Sequence, residues 1–211
     1  NFGFKNKYTH YELGYDEVMK EKQNYTRYGG VSISYADGDA SYSRGSGDNH
    51  SRAMNFYVTE MGNKGHYLDV VLRFHHIDTN FKMFDENGKK IRGDMHNVGI
   101  SLSSEYGRKK MIDDKGWYIE PQGQLTIGYL GGDNYTTSNG IAVRQGGIRS
   151  ALGRIGFNLG KDIDEKTNIY LKANLLHEFG GGYHAAMADN SGSRIKIDRS
   201  FKDTWFEYGI G

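Results

Sequence analysis

Apolar and polar residues alternate with a period of two along most of this chain. The clearest example is the segment GWYIEPQGQLTIGYL, residues 116–130. Leu125 and Ile127 fall on one side of this alternation, and Glu120 and Gln124 fall on the other. Successive side chains of a β-strand point to opposite faces. The segment is therefore predicted to be a long strand with one apolar and one polar face.

The same alternation recurs along the whole sequence, and no segment shows a convincing helical period. The strand candidates are residues 11–15, 31–35, 54–58, 68–74, 98–106, 119–129, 155–159, 169–179 and 206–210. This pattern predicts an all-β protein with about nine strands.

The predicted connectors between these strands alternate between short and long. The short connectors are residues 16–26, 61–66, 109–115 and 161–167, and the long ones are 37–52, 77–95, 131–149 and 180–203. The long connectors are rich in Gly, Asp, Asn and Ser, so we expect loops there. In an antiparallel meander successive connectors lie at opposite ends, so one end has tight turns and the other long loops. Outer-membrane β-barrels show this asymmetry.

The composition narrows the classes of protein that fit. The chain has 211 residues, 36% of them hydrophobic, with 13% aromatic residues, 30 Gly and a single Pro. The absence of cysteine excludes disulfides, zinc–thiolate sites and cysteine nucleophiles in this chain. The net charge of +1 does not favour a nucleic-acid partner. No apolar run approaches the roughly 20 residues of a membrane-spanning helix.

Three observations favour an apolar face turned toward lipid over one turned into a soluble core. The apolar face carries almost no charge in the middle of the strands, where a charge facing lipid is costly. Nine strands in one sheet exceed what a small side-chain-filled barrel needs. Aromatic residues also cluster near the strand ends, as in interfacial girdles. The girdle candidates are Tyr11, Tyr15, Tyr28, Tyr35, Tyr67, Phe74, Tyr106, Trp117, Tyr129, Tyr170 and Phe179.

The polar face would then line an aqueous lumen with charges of both signs. The candidate lumen-lining residues are Glu12, Asp69, Arg73, Glu105, Glu120, Arg154, Lys172, Glu178 and Glu207. They fit two roles equally well: contact with a hydrated or polypeptide cargo, or charge pairs that stiffen the wall across strands. Inward glycines such as Gly99 and Gly107 would leave room beside bulky neighbours or mark bends of the sheet.

Other motifs favour neither a cofactor nor a catalytic site. His75-His76 and His177-Glu178 are adjacent strand residues that point in opposite directions, so neither pair can hold a metal ion by itself. The segment that begins at Asp37 resembles the start of a calcium loop but lacks the required glycine and glutamate. No nucleophile-elbow sequence is present. We therefore expect no metal, no cofactor and no enzymatic activity.

Several stretches resemble the translocator β-domain of autotransporters, the type V secretion barrel of Gram-negative bacteria. They are YELGYD, GGVSISYADGDASYS, GHYLDVVLRF, GISLSSEYGRK, WYIEPQGQLTIGYL, RIGFNLGKDI, IYLKANLLHEF and DTWFEYGIG. Each is short, but together they extend over nearly the whole chain in the family's order and spacing.

The resemblance implies an antiparallel up-and-down barrel of twelve strands in the outer membrane. Residues 1–211 would form part of this domain, incomplete at both ends, with the second to tenth strands present. It also implies export of an N-terminal passenger to the cell surface. The implied partners are the passenger, its linker helix, the barrel-insertion machinery and outer-membrane lipid. The lumen residues would contact the passenger or the linker.

Three alternatives remain open from the residues alone. The first is another outer-membrane barrel, such as a porin or an adhesin. The second is a soluble ligand-binding β-barrel, and the third is an esterase-like outer-membrane enzyme. The orientation of the two strand faces separates the membrane barrels from the soluble one.

Overall fold

The computed structural model describes residues 4–164 and 167–211, and its regular structure there consists of β-strands. The strands are β1 (Phe4–Lys22), β2 (Tyr25–Tyr42), β3 (Gly45–Gly62), β4 (His66–Phe84), β5 (Lys90–Arg108), β6 (Lys110–Met111), β7 (Trp117–Leu130), β8 (Asn134–Thr136), β9 (Ala142–Gln145), β10 (Ile148–Asp162), β11 (Asn168–Glu178), β12 (Gly182–Ala188), β13 (Arg194–Ser200) and β14 (Thr204–Ile210). The described residues contain no helix that is long and apolar enough to cross a membrane.

Within the described residues, nine strands form one continuous meander, as the sequence predicts. Their order is β1-β2-β3-β4-β5-β7-β10-β11-β14, and the short β6 pairs with the N-terminal residues of β7. Each neighbouring pair is antiparallel. Strands β1 and β14 end this order, and the sheet is not closed between them in the part of the chain that the structure describes.

The outer face of this sheet is apolar and exposed, which confirms the predicted orientation. Leu13 is 74% exposed and Phe206 is 77% exposed. No large side chain in the described ranges is fully buried, so the Leu, Ile and Phe rows do not interlock in a central core. A face of this kind is stable only against another apolar medium, because exposed apolar area is unfavourable in water.

The short connectors lie at one end of the sheet, which we call the turn end. Residues 63–65 alone separate β3 from β4, and Gly65 has a φ of +79° there. This left-handed conformation favours glycine because it has no Cβ. The salt bridge between Lys109 Nζ and Asp162 Oδ1, 2.8 Å long, ties two neighbouring connections at this end.

The prediction of long loops at the opposite end, which we call the hairpin end, is wrong. Strands β2 and β3 continue in register until Tyr42 pairs with Gly45. Strands β4 and β5 continue until Phe84 pairs with Lys90. The β2–β3 extension has no apolar row on either side, and sequence periodicity reports one-sided burial, so it does not detect this strand pair. The β4–β5 extension has an apolar side that includes Phe81 and Ile91, but the Gly, Asp and Asn residues around it led to the prediction of a loop.

The two remaining long connectors form a second, smaller sheet with the order β13-β12-β9-β8. The rings of Phe81 in β4 and Tyr135 in β8 meet edge to face, with centroids 6.0 Å apart. Val143 is only 3% exposed and Ala185 only 5%. These contacts give the hairpin end a small apolar cluster of its own.

The aromatic girdle is confirmed only in part. Tyr67 pairs directly with Gly107, and Tyr170 with Gly160, on the inner face of the sheet. Tyr28 also points inward, because it lies two residues from Gly30 on the same face. These three tyrosines are close to strand ends, but the face on which they lie removes them from the lipid-facing set.

The polar inner face as candidate functional site

The inner face of the sheet forms an open trough with a volume of about 840 Å³. It is lined by four of the predicted lumen residues, Glu12, Asp69, Arg73 and Glu105. They come from four positions on β1, β4 and β5 that share one side of the strand alternation. The strand register therefore brings distant charges together over one concave surface.

Glu105 and Arg154 form the one direct ion pair among the predicted lumen residues that the described structure shows. Arg154 Nη2 lies 2.7 Å from Glu105 Oε2, and both side chains are about one-fifth exposed, at 18% and 20%. The pair reaches across β7, where Gln124 stands between both residues in the register. Arg154 Nε donates to Gln124 Oε1 at 2.8 Å. The Tyr67 hydroxyl donates a hydrogen bond to Glu105 Oε1 at 2.6 Å.

A second network joins β1, β2 and β3. Ser32 Oγ donates to Glu12 Oε1 at 2.6 Å, and Asn55 Nδ2 donates to Ser32 Oγ at 2.9 Å. Asn55 is 4% exposed and Ser32 is 6% exposed. On the next strand pair, Thr59 Oγ1 donates to Asp69 Oδ1 at 2.6 Å. Each of these acids is held by neutral groups of a neighbouring strand, which stabilises the wall.

Arg73 is held less tightly than Arg154. Its Nη2 makes a long contact of 3.4 Å with Ser34 Oγ. Its guanidinium group borders the trough, so donors remain that can reach a polar group inside it.

Besides Arg154, four predicted residues lie on the same face but do not line the trough. Glu120 accepts from Gln122 at 2.7 Å and from Asn158 at 3.1 Å. Lys172 and Glu207 are exposed on β11 and β14. Glu178 is held by its own wall, because it accepts from the backbone N–H groups of residues 151 and 180, both at 2.8 Å. The structure does not bring these four residues together with the trough.

Glycines opposite bulky inner side chains are a second property of the wall. A Cβ atom at Gly107 would lie 2.4 Å from the ring of Tyr67, and one at Gly99 would lie 2.2 Å from the ring of His75. Gly30 gives the same room to Tyr57, whose hydroxyl donates to Asp16 at 2.9 Å. Each ring can lie flat over its glycine and extend its polar atom along the wall.

The neutral members of these networks were missed because the sequence-based selection kept only charged residues. Gln124, Asn55, Ser32 and Ser103 share the inward side of the alternation with the charges. Gln124 Nε2 donates to Ser103 Oγ at 2.7 Å. Strand parity alone would have identified them, whereas their partners depend on the register.

In the second sheet and its turns, Tyr135 and Asp189 have shifted pKa values. Burial raises the pKa of the Tyr135 phenol, which packs in the second sheet. Hydrogen bonds from the Ser191 hydroxyl and from the backbone of Ser193 lower the pKa of Asp189. Asp189 thereby closes the turn between β12 and β13, on the hairpin end.

Comparison with known proteins gives a consistent result for sequence and fold. The sequence model described as "Autotransporter beta-domain" matches residues 1–211. Pertactin autotransporters are 34% identical over 184 residues in both Bordetella parapertussis and Bordetella bronchiseptica, covering 84% of this chain and 20% of theirs. The chain therefore spans about a fifth of the length of these curated relatives.

Solved structures show the same fold. The β-domain of the Bordetella autotransporter BrkA has a TM-score of 0.72 at 22% identity, covering 98% of this chain and 89% of that one. The translocator domain of NalP from Neisseria meningitidis has a TM-score of 0.67 at 11% identity, covering 99% and 79%.

Proposed function

Because this chain belongs to the autotransporter β-domain family, we propose that it supports export of an N-terminal passenger domain to the cell surface. Family membership makes it an outer-membrane protein of a Gram-negative bacterium. The observation that carries the proposal is the pairing of an apolar, exposed outer face with a charged, hydrogen-bonded inner face. A strand wall with this polarity separates lipid from a wet conduit.

Among the described residues, β1 and β14 each have one edge that pairs with no other strand. An unpaired strand edge carries N–H and C=O groups that hydrocarbon cannot satisfy. We propose that further strands of the full-length protein pair with both edges and complete a barrel of twelve strands. The porin and adhesin alternatives are not favoured by the family match.

The inner face has two roles in this proposal. Glu105 and Arg154 satisfy each other, so they serve the wall. Arg73, Glu12 and Asp69 border the trough and are proposed to contact the passenger or its linker helix. The same role for Glu120, Lys172, Glu178 and Glu207 has less support. Glu178 in particular is saturated by hydrogen bonds from its own wall.

Two further parts of the proposal concern partners and chemistry. Autotransporter β-domains carry their own passenger domain, and we propose the cell's barrel-insertion machinery as a second partner. We also propose that this domain has no catalytic activity of its own, because its family is one of transport domains.

Charge reversal in the trough of the full-length protein tests the proposed contact. Arg73→Glu combined with Glu12→Lys should lower surface display of a reporter passenger, while the barrel still resists SDS at room temperature. Lys82→Glu is the matched control, because Lys82 lies on the outer side of β4 at the hairpin end. Unchanged display by a folded double variant would remove both residues from the contact set. Equal loss with the control would show a general charge effect.

A further inference from the structure

Three side chains with metal-ligating atoms meet on the outer surface of β4 and β5. His76 Nε2 lies 2.8 Å from Asp78 Oδ1, and His96 Nδ1 lies 2.7 Å from the same oxygen. One ligand atom from each residue lies within 4.8 Å of the other two. The cluster sits where the apolar belt ends. His76, opposite Val98, lies one row beyond Phe74 toward the hairpin end, and Asp78, opposite His96, lies in the next row.

The strand geometry explains why these three residues converge. His76 and Asp78 are two positions apart on β4, so they share one face. His96 on β5 is the direct register partner of Asp78. His75 points to the inner face and takes no part. His75 and His76 therefore point in opposite directions, as predicted. The other two potential ligands are Asp78, on the same face of β4, and His96, on the neighbouring strand.

The ligand types fit a transition-metal ion of the zinc class. Zn²⁺ binds imidazole nitrogen and carboxylate oxygen at about 2.0–2.2 Å, and tetrahedral coordination then separates ligand atoms by about 3.3 Å. The two distances to Asp78 Oδ1, 2.8 and 2.7 Å, are hydrogen-bond distances about 0.5 Å shorter than that value, so the two imidazoles must rotate slightly away from the carboxylate to admit an ion. Two imidazoles do not suit Ca²⁺ or Mg²⁺, which prefer oxygen ligands.

The surroundings leave access for an ion and favour positive charge. The His96 side chain is 64% exposed and the His76 side chain 45%, so a fourth position is open to water. Asp133 accepts the backbone N–H of His96 at 2.7 Å, and Asp94 lies two residues from His96 on the same face. On β3, Arg52 and His50 are the register partners of His76 and Asp78, and His50 is paired with the carboxylate of Asp37. Together with Asp78 there are more carboxylates than cations around the cluster.

The other histidine–carboxylate contacts have two members each. His50 pairs with Asp37 at 2.8 Å, and His184 pairs with Asp198. Among the described residues, only the cluster of His76, Asp78 and His96 brings three such groups together. His50 is the β3 register partner of Asp78, so its pair lies beside the cluster. The pair of His184 and Asp198 on the second sheet serves as the internal control, because it has similar chemistry but one ligand fewer.

We infer that His76, Asp78 and His96 form an open binding site for a divalent transition-metal ion, on the outer surface just beyond the apolar belt. The site does not depend on the export function. It lies on the opposite side of the wall from the trough, so a bound ion would act on the membrane surface or on the rigidity of the β4–β5 hairpin.

Zinc binding to the folded full-length protein, purified in detergent without a histidine tag, tests this inference. Titration with Zn²⁺ alone should show one binding site. His96→Gln and Asp78→Asn should each weaken Zn²⁺ binding at least about tenfold, because the loss even of a residue that only orients a metal ligand has an effect of this size. His184→Gln should bind as the unchanged protein does. No Zn²⁺ binding, or binding unaffected by both ligand variants, would overturn the inference.

A second measurement needs no variant and covers the case in which the substitutions impair folding. Diethyl pyrocarbonate modifies exposed imidazoles, and the products can be located by mass spectrometry. Zn²⁺ should protect His76 and His96 while His184 reacts at an unchanged rate. If Zn²⁺ leaves the reaction rates of His76 and His96 unchanged, the site is contradicted. As a control, Mg²⁺ in place of Zn²⁺ should protect none of the three histidines.

Discussion

At the scale of single residues, the inner wall depends on polar side chains that satisfy one another across strands. The pair of Glu105 and Arg154 is the clearest case, since it spans β7 and also engages Tyr67 and Gln124. The effect of such a partly exposed pair on stability is seen mainly when one member is removed, because the other charge is then left unpaired.

A double-mutant cycle in the full-length protein should measure this coupling. Glu105→Gln and Arg154→Gln should each destabilise the barrel, and the double variant should lose less than the sum. We expect an interaction of about 1–2 kcal/mol, in the usual range for residues in one network. Denaturant unfolding in detergent gives the value. Strict additivity of the two losses would contradict the pairing.

The glycine opposite Tyr67 gives a second prediction at this scale. Gly107→Ala should destabilise the barrel by about 1–3 kcal/mol, because the new Cβ would lie 2.4 Å from the ring and force it to move. Gly123→Ala is the control, since a Cβ there meets nothing within 4 Å. Equal effects of the two substitutions in the same unfolding assay would argue against a packed ring.

The sequence predicts which residues face inward but not which of them touch. Period-two alternation assigns Glu105, Arg154 and Gln124 to one face without structural information. Their contact depends on how β5, β7 and β10 align, and a single-residue shift of register would exchange the two faces of a strand. For the same reason the sequence separates His76 from His75 but does not place His96 beside Asp78.

At the scale of elements, the strands continue well past the apolar belt at the hairpin end. Strands β2 and β3 remain paired through residues that have no apolar face, from Asp37 opposite His50 to Tyr42 opposite Gly45. These positions look like loops in sequence because both sides are polar. They remain extended because the backbone pairing of the spanning segment continues into them.

Shortening the β2–β3 hairpin tests whether this extension is separable from the spanning sheet. Replacement of residues 39–48 by Asn-Gly joins Gly38 and Asn49, which are register partners, through a two-residue turn. We expect the full-length protein to insert and to resist SDS as before, since the removed part lies outside the apolar belt. Failure to insert would show that the extension is needed for assembly.

An added charge should destabilise the protein more on the outer face of a strand than on its inner face. Leu125→Lys places an ammonium group on the exposed apolar side of β7 and should cost about 2–4 kcal/mol in the membrane. Thr126→Lys, one position away on the inner side, should cost less. Its main loss is the 3.0 Å hydrogen bond to Ser103. Unfolding from lipid vesicles compares the two variants, and a reversed ranking would contradict the assignment of faces.

At the scale of the whole molecule, the order of strands and the polarity of the sheet define one wall between lipid and water. Both were predictable, because nine alternating segments specify a meander and the charge-free face specifies its outer side. The second sheet was not predictable, since β8, β9, β12 and β13 are only three to seven residues long and pair only through the fold. The trough follows from the curvature of the sheet, which alternation does not report.

The central claim is the direction of the two faces, and the absence of cysteine from this chain allows a direct test. Single cysteines at positions 125, 126, 127 and 128 of the full-length protein, with any cysteine elsewhere replaced, can carry a spin label in lipid vesicles. Accessibility to oxygen should be high for labels at Leu125 and Ile127, and accessibility to a water-soluble nickel complex should be low there. Labels at Thr126 and Gly128 should show lower oxygen accessibility. Oxygen accessibility that peaks at Thr126 and Gly128, or that does not alternate along β7, would contradict the account.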